Sequence, residues 1–268
     1  LPPPATIPEL PTLYYFAATD GLGSEMPILV GDSAVRGYHP VVALDGNGVI
    51  HVAWEAPHNG SRASEVFHAW REGALWRGAF YVSNSQNVPS SLPDMVVDRV
   101  GVAHLVWQEG ASSATEIYYA NDHESAEGGH VISSGGGQAR SPRLALDAQG
   151  GLHVVWCEGA TLRYRHLPAG AGWGPIETVP APAGGLGIEE AAIAVDARGA
   201  VHTVWAQRAA GGQTVDIYYS SRPVQMATLT PLPPSPTSTP SCTATPLPPS
   251  PTAVPTDTAT PRAPTATP

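Results

Sequence analysis

The sequence predicts an all-β protein of the β-propeller class, and three observations carry that prediction. A sixteen-residue segment recurs four times without gaps, and its tryptophans are spaced by 53, 49 and 49 residues. Each copy sets two apolar, β-branched runs on either side of an Asp-x-x-Gly tetrad, which reads as strand, tight turn, strand. No stretch shows the 3.6-residue apolar period of an amphipathic helix. Four antiparallel strands in a unit of roughly 45–50 residues is the dimension of a propeller blade. A β-solenoid would repeat at a shorter period, and a sandwich would not repeat at all.

The four copies are PVVALDGNGVIHVAWE from Pro40, PDMVVDRVGVAHLVWQ from Pro93, PRLALDAQGGLHVVWC from Pro142 and AAIAVDARGAVHTVWA from Ala191. Within each, Asp is followed six residues later by His and nine later by Trp. The sets are Asp45, His51, Trp54; Asp98, His104, Trp107; Asp147, His153, Trp156; and Asp196, His202, Trp205. Asp at the first turn position accepts from the following backbone, and Gly48, Gly101, Gly150 or Gly199 supplies a left-handed residue for a type I turn with a bulge. Period-two geometry puts Val49, His51, Ala53 and Glu55 on one face of the second strand, with Ile50, Val52 and Trp54 on the other. Both faces are apolar, as expected of a blade covered on each side by a neighbour.

A third strand follows as EVFHAW at Glu65, EIYYAN at Glu116, TLRYRH at Thr161 and DIYYSS at Asp216, with an earlier echo, TLYYFAA, at Thr12. A fourth, less regular strand lies near GAFYVSN, GGHVISS and GPIETV. In the first blade the strands are expected near 40–45, 49–55, 65–71 and 78–83. The division that follows is a linker or truncated start at 1–11, a half-blade at 12–31, blades at 38–84, 91–134, 140–180 and 189–222, and a tail from 224 to 268. Closing four blades with the half-blade would leave one third strand in surplus. About 4 to 4.5 blades of a larger ring is therefore the expectation. A start at Leu1, with neither initiator Met nor signal peptide, reads as a mature form or an excised piece.

The pattern Pro-x-h-h-h-Asp-x-x-Gly-x-h-His-h-h-Trp, followed by h-Tyr-Tyr-[Ala/Ser], resembles repeats of bacterial secreted propellers related to the sialidase and BNR-repeat superfamily, over roughly residues 13–222. The resemblance implies the propeller fold. The Asp-box Ser-x-Asp-x-Gly-x-x-Trp of that superfamily is absent in its proper form; HLPAGAGWGP from His166 keeps Gly and Trp173 without the Ser and Asp. A site of sialidase type would need arginines on a substrate carboxylate, a Tyr–Glu nucleophile pair and an acid/base Asp.

Repetition argues that the His and Trp sets are structural, since packing is needed in every blade and catalysis once. Four histidines on four blades cannot share one metal, and no metal or cofactor is predicted. The informative residues are those that differ between blades at the start of the innermost strand, where loops converge on the central tunnel. These are Tyr38, His39, Asp94, Arg140, Arg143, Glu189 and Glu190. Two arginines, several carboxylates, a Tyr and a His suit a sugar or an anion. Two readings follow: a binding propeller for a glycan or protein ligand at its mouth, and, second, an exo-acting glycoside hydrolase of sialidase type.

Net charge is −10, and all 13 basic residues are Arg. An acidic chain without basic clusters argues against nucleic acid and anionic membrane as partners. No apolar run is long enough for membrane insertion. Cys157 and Cys242 make no disulfide framework, and Cys157 is expected to be an inert buried thiol. From Val224 the composition changes: thirteen of 45 residues are Pro, twelve are Thr and none is aromatic. Such a segment favours extended polyproline II over packing. It resembles bacterial surface stalks, and so predicts a secreted or cell-surface protein with envelope attachment through the tail. Limited proteolysis should trim the chain to an end near Arg222 without changing its β-sheet circular dichroism; loss of that signal on trimming would contradict the spacer reading.

Overall fold

The computed structural model describes residues 12–15, 26–30, 33–34, 36–57, 63–85, 88–111, 114–123, 128–134, 136, 138–181, 184–209, 211–212 and 214–223. Expectations for residues 1–11 and for the tail, Cys242 included, lie outside the described residues. All regular structure described is β, with no helix among the described residues.

Four short strands come first: β1 (Tyr14–Tyr15), β2 (Met26–Pro27), β3 (Leu29–Val30) and β4 (Ser33–Ala34). The first blade comprises β5 (Tyr38–Leu44), β6 (Ile50–Pro57), β7 (Ser64–Glu72) and β8 (Leu75–Tyr81). The second comprises β9 (Ser90–Val97), β10 (Ala103–Ala111), β11 (Ala114–Asn121) and β12 (His130–Val131). In the third are β13 (Ala139–Leu146), β14 (Leu152–Glu158), β15 (Thr161–Leu167) and β16 (Glu177–Val179). The fourth has three described strands, β17 (Gly187–Val195), β18 (Ala200–Arg208) and β19 (Val215–Pro223). Each blade is an antiparallel meander in sequence order.

The Asp-x-x-Gly tetrads make the turns their chemistry dictates. Asp45 Oδ1 accepts from the N–H of Asn47 at 2.8 Å and of Val49 at 2.7 Å, and the same pair of bonds forms at Asp98, Asp147 and Asp196. Gly48, Gly101, Gly150 and Gly199 all have φ between 80° and 90°, a region that costs a Cβ-bearing residue strain. At Asp196 the N–H of Ala200 is the chief influence holding the carboxyl below its ordinary range.

Two findings depart from expectation. The fourth strand of the first blade starts at Leu75, because a tight turn at Gly73 (φ 61°) returns the chain at once. Leu29 and Val30, placed in the half-blade by the sequence, form β3, which pairs in parallel with β8 and, with β4, widens the first blade to six strands. The fourth blade has no fourth strand among the described residues, and the sequence marked none there. Among the described residues of 12–28, β1 and β2 pair antiparallel. The Ile28 N–H donates to Leu13 O at 2.9 Å, as Val82 does to Val66 and Ile132 to Ile117 in complete blades. β1 and β2 form a sheet of their own, apart from β17–β19.

Blades are joined by their tryptophans. Trp107 packs against Val66 and Val82 of the first blade, Trp156 against Ile117 and Ile132 of the second, and Trp205 against Leu162 and Val179 of the third. Trp54 meets Leu13 and Ile28 in the same way. All four indoles are buried. Each therefore takes its surface out of water against the third and fourth strands of the preceding unit, while Ala53 on the opposite face of β6 joins the core shared with the second blade.

The repeated histidines complete a second network. His104, His153 and His202 each bring Nδ1 to a tyrosine hydroxyl, Tyr119, Tyr164 and Tyr219, at 2.7–2.8 Å. Their Nε2 atoms face the turn aspartates Asp98, Asp147 and Asp196 at 3.7, 3.2 and 3.4 Å. In the first blade His68 replaces the tyrosine: its Nε2 lies 3.0 Å from His51 Nδ1, and its own Nδ1 is buried without a partner.

Trp107→Ala should cost about 3–5 kcal/mol in chemical denaturation, as large-to-small core changes do. Burial drives His68 down to about 3, below the ordinary 6.5. Unfolded chains therefore bind a proton that the folded protein refuses. This contribution is full above about pH 6.5 and falls, by on the order of 4 kcal/mol, as pH drops toward 3. His68→Tyr should flatten that part of the stability–pH curve, which thermal melts across the range will check.

Candidate functional site

Antiparallel pairing sets the start of each innermost strand beside the end of the second strand, and this side of the protein carries the residues that vary between blades. The register pairs Tyr38 with Glu55, Ser91 with Gln108, Arg140 with Cys157, and Glu190 with Ala206. Each innermost strand carries a bulge here. His39, Leu92 and Ser141, each just before a proline, sit at φ 50°, 52° and 53°. Non-glycine residues rarely occupy that region, and a bulge re-aims the side chains around it.

In the first two blades the residue after the Trp then reaches across to the next blade. Glu55 Oε2 accepts from the Leu92 N–H at 2.6 Å, and Gln108 Oε1 from the Ser141 N–H at 3.4 Å. Asp94 Oδ2 accepts from the Leu144 N–H at 2.7 Å. At the third junction Arg140 donates to the Ile188 carbonyl. Asp94 and Arg140, picked out in the sequence as ligand groups, thus bridge blades through backbone.

Most of the remaining candidates are grouped in pairs. Arg143 Nη2 lies 3.8 Å from Glu190 Oε1, and Glu190 is well exposed. Glu189 is paired with Arg208, also at the surface. Tyr38 is exposed on the first blade, and His39 beside it meets Glu55 at 3.1 Å. Asp94, Arg143 and Glu190 therefore stand on three successive blades, whereas Tyr38 and His39 are tied to their own. Arg140, Arg143 and Arg208 each hold a different protein partner. Glu55, Gln108 and Arg208 were missed as members of this face. Their signal was available in the place after the Trp, which reads Glu, Gln, Cys and Ala in the four blades.

Electrostatics follow from burial. Burial raises the Asp94 carboxyl above its ordinary value, against the pull of the Leu144 N–H and Arg143. Burial also pushes the Cys157 thiol up to about 11, although Arg140 and Arg143 draw it down. A thiol so protonated at neutral pH is a poor nucleophile, as expected of an inert buried cysteine.

One cluster has metal-ligand chemistry. Asp147, His153 and His166 bring one ligand atom each to within 4.8 Å of one another, and His166 Nε2 is buried without a hydrogen bond. The two imidazoles lie 4.3 Å apart at 11°, however. Parallel stacked rings cannot both direct an in-plane lone pair at one ion about 2 Å away. Burial lowers the proton affinity of both, so they read as a neutral stacked pair.

No protein-family model matches this sequence, and no curated protein matches it. Solved structures do. An α-L-arabinanase of Penicillium chrysogenum, complexed with arabinobiose, gives a TM-score of 0.50 at 13% identity, over 81% of this chain and 74% of that one. A Dyadobacter fermentans protein of unknown function gives 0.49 at 13% identity over 68% of this chain. A Hadza microbial sialidase gives 0.47 at 12% identity over 68% of this chain. The chain spans 65% of the Dyadobacter protein and 44% of the sialidase. At these identities the arabinanase likeness is one of fold, and the fold of this chain is an all-β propeller of antiparallel blades.

Proposed function

We propose that this chain is a glycan-binding propeller displayed outside a bacterial cell, with its ligand at the mouth where the innermost strands begin. The observation that carries the reading is the Arg143–Glu190 pair, which stands at the junction of the third and fourth blades with Glu190 open to solvent. A guanidinium beside a carboxylate offers both donors and acceptors to sugar hydroxyls, and the arginine alone suits a carboxylated sugar. Asp94 on the second blade and Glu189–Arg208 on the fourth extend the same polar rim. Fold likeness to an arabinanase complexed with arabinobiose is consistent with a carbohydrate ligand. Binding is favoured over catalysis because the arginines are already held by separate partners, rather than converging on one substrate position. The Pro/Thr-rich tail supports secretion and envelope attachment. The acidic balance speaks against nucleic acid, and no helix of the described residues is long and apolar enough to cross a membrane.

One observation favours a second reading, an exo-acting glycoside hydrolase of sialidase type. A carboxyl raised by burial, as at Asp94, is what a general acid requires. Calorimetric titration of the chain with neutral and sialylated oligosaccharides separates the two. Binding without turnover is expected, with Arg143→Ala and Glu190→Gln weakening it by about tenfold or more and leaving the thermal midpoint in place. Turnover of a sialoside that Asp94→Asn abolishes would replace the binding reading with the hydrolase. Binding to no glycan at all would leave a protein ligand at the mouth.

A further inference from the structure

Among the described residues the third-strand faces of the four blades are built alike, and that of the fourth blade is bare. Three positions define it: the residue before the Trp, the apolar residue that follows Glu65, Glu116, Thr161 or Asp216 on the third strand, and the residue two further on. In the first three blades they are Ala53, Val66 and His68; Val106, Ile117 and Tyr119; and Val155, Leu162 and Tyr164, none more than 4% exposed. In the fourth blade they are Val204, Ile217 and Tyr219, which are 42%, 73% and 61% exposed. Ala192 and Ala194 of β17 add to the same exposed surface. β19 is the edge of its sheet, at the place that β8, β12 and β16 cover in the other blades.

The opposite end of the array is incomplete in the complementary sense. β1 and β2 supply a third and fourth strand over Trp54. Val42 and Leu44 of β5 are nevertheless 66% and 64% exposed, whereas their counterparts Met95 and Val97 are buried at 5% and 8%. Among the described residues, no inner pair of strands of a blade lies there.

The three complete interfaces show what covers such a face. In each it is the inner hairpin of the next blade, a strand, the Asp-x-x-Gly turn and a strand bearing Trp. We propose that the outer face of the fourth blade is a docking surface for a β-hairpin of this same repeat, supplied by polypeptide outside these 268 residues. The seven tryptophans of the chain offer no substitute. Four are buried in their own interfaces, and Trp70, Trp76 and Trp173 do not lie on inner hairpins. A second copy would have to open one of its own blades to serve. The face is apolar, continuous in kind with three existing interfaces, and independent of any ligand at the mouth.

The probe is a synthetic hairpin with the sequence of residues 90–111, closed by a terminal disulfide and verified as a folded hairpin by cross-strand NMR contacts. Hydrogen exchange of the full chain is then measured with and without it. Amide protection across β19 should rise by about tenfold or more with the hairpin and remain unchanged with its Trp107→Ala version. Ile217→Asp in the chain, a surface position, should keep the thermal midpoint and lose the protection. A folded hairpin that protects nothing at millimolar concentration would overturn the proposal. So would sedimentation showing that the chain alone pairs through this face and that Ile217→Asp separates the copies, since the occupant would then be a second copy.

Discussion

The packing of one tryptophan per blade against the third and fourth strands of the preceding unit is the contact on which the rest of this structure depends. A four-stranded sheet cannot bury both faces by itself, and each blade here is apolar on both. Trp107, Trp156 and Trp205 supply the largest apolar surface at each junction, and the junctions are the cores. Removing water from an indole contributes several kcal/mol at roughly 25 cal/mol per Å². Stability is thus distributed along the array, blade by blade, with no single centre.

This arrangement forces the polar side chains of the second strand into buried surroundings, where each needs a partner. The Asp–His–Tyr chain answers that need in three blades, and it turns a turn residue, a second-strand residue and a third-strand residue into one hydrogen-bonded unit. Departures are local and have local causes. His68 in place of tyrosine leaves an unpaired Nδ1. Trp107 and Trp205 donate to Glu109 and Gln207 two residues later. Trp156 finds no acceptor because Glu158 is held by Arg163 at 2.6 Å and by Ser134 at 2.9 Å.

Because packing claims the same positions in every blade, variation is left to the bulged starts of the innermost strands. There the backbone is already displaced from regular pairing at His39, Leu92 and Ser141. The same freedom is spent in two ways. Asp94, Gln108, Glu55 and Arg140 clamp neighbouring blades through backbone hydrogen bonds, while Arg143, Glu190, Glu189 and Tyr38 remain at the surface. The proposed recognition face rests on a clamped frame, with the clamp and the face drawn from neighbouring residues.

Periodicity made the fold legible in the sequence. Asp, His and Trp at fixed spacing gave the turn, the two inner strands and the repeat, because turn chemistry and strand alternation are local in sequence. In the first blade the strong apolar runs placed the inner strands within two residues of where they lie. The outer strands were less clear: β8 started three residues early and β3 joined a blade that its sequence did not suggest, since edge strands carry few packing residues and take their pairing from whatever lies beside them. The candidate residues at the starts of the innermost strands were picked by type and position, and their roles were not legible. Whether Asp94 and Arg140 bridge blades or face solvent depends on the neighbouring blade, some 50 residues away in sequence at Leu144 and Ile188. The sequence by itself determined the repeating unit; the exposure of Val204, Ile217 and Tyr219 was decided only by tertiary structure, because burial of a blade face is a property of the next blade and not of its own residues.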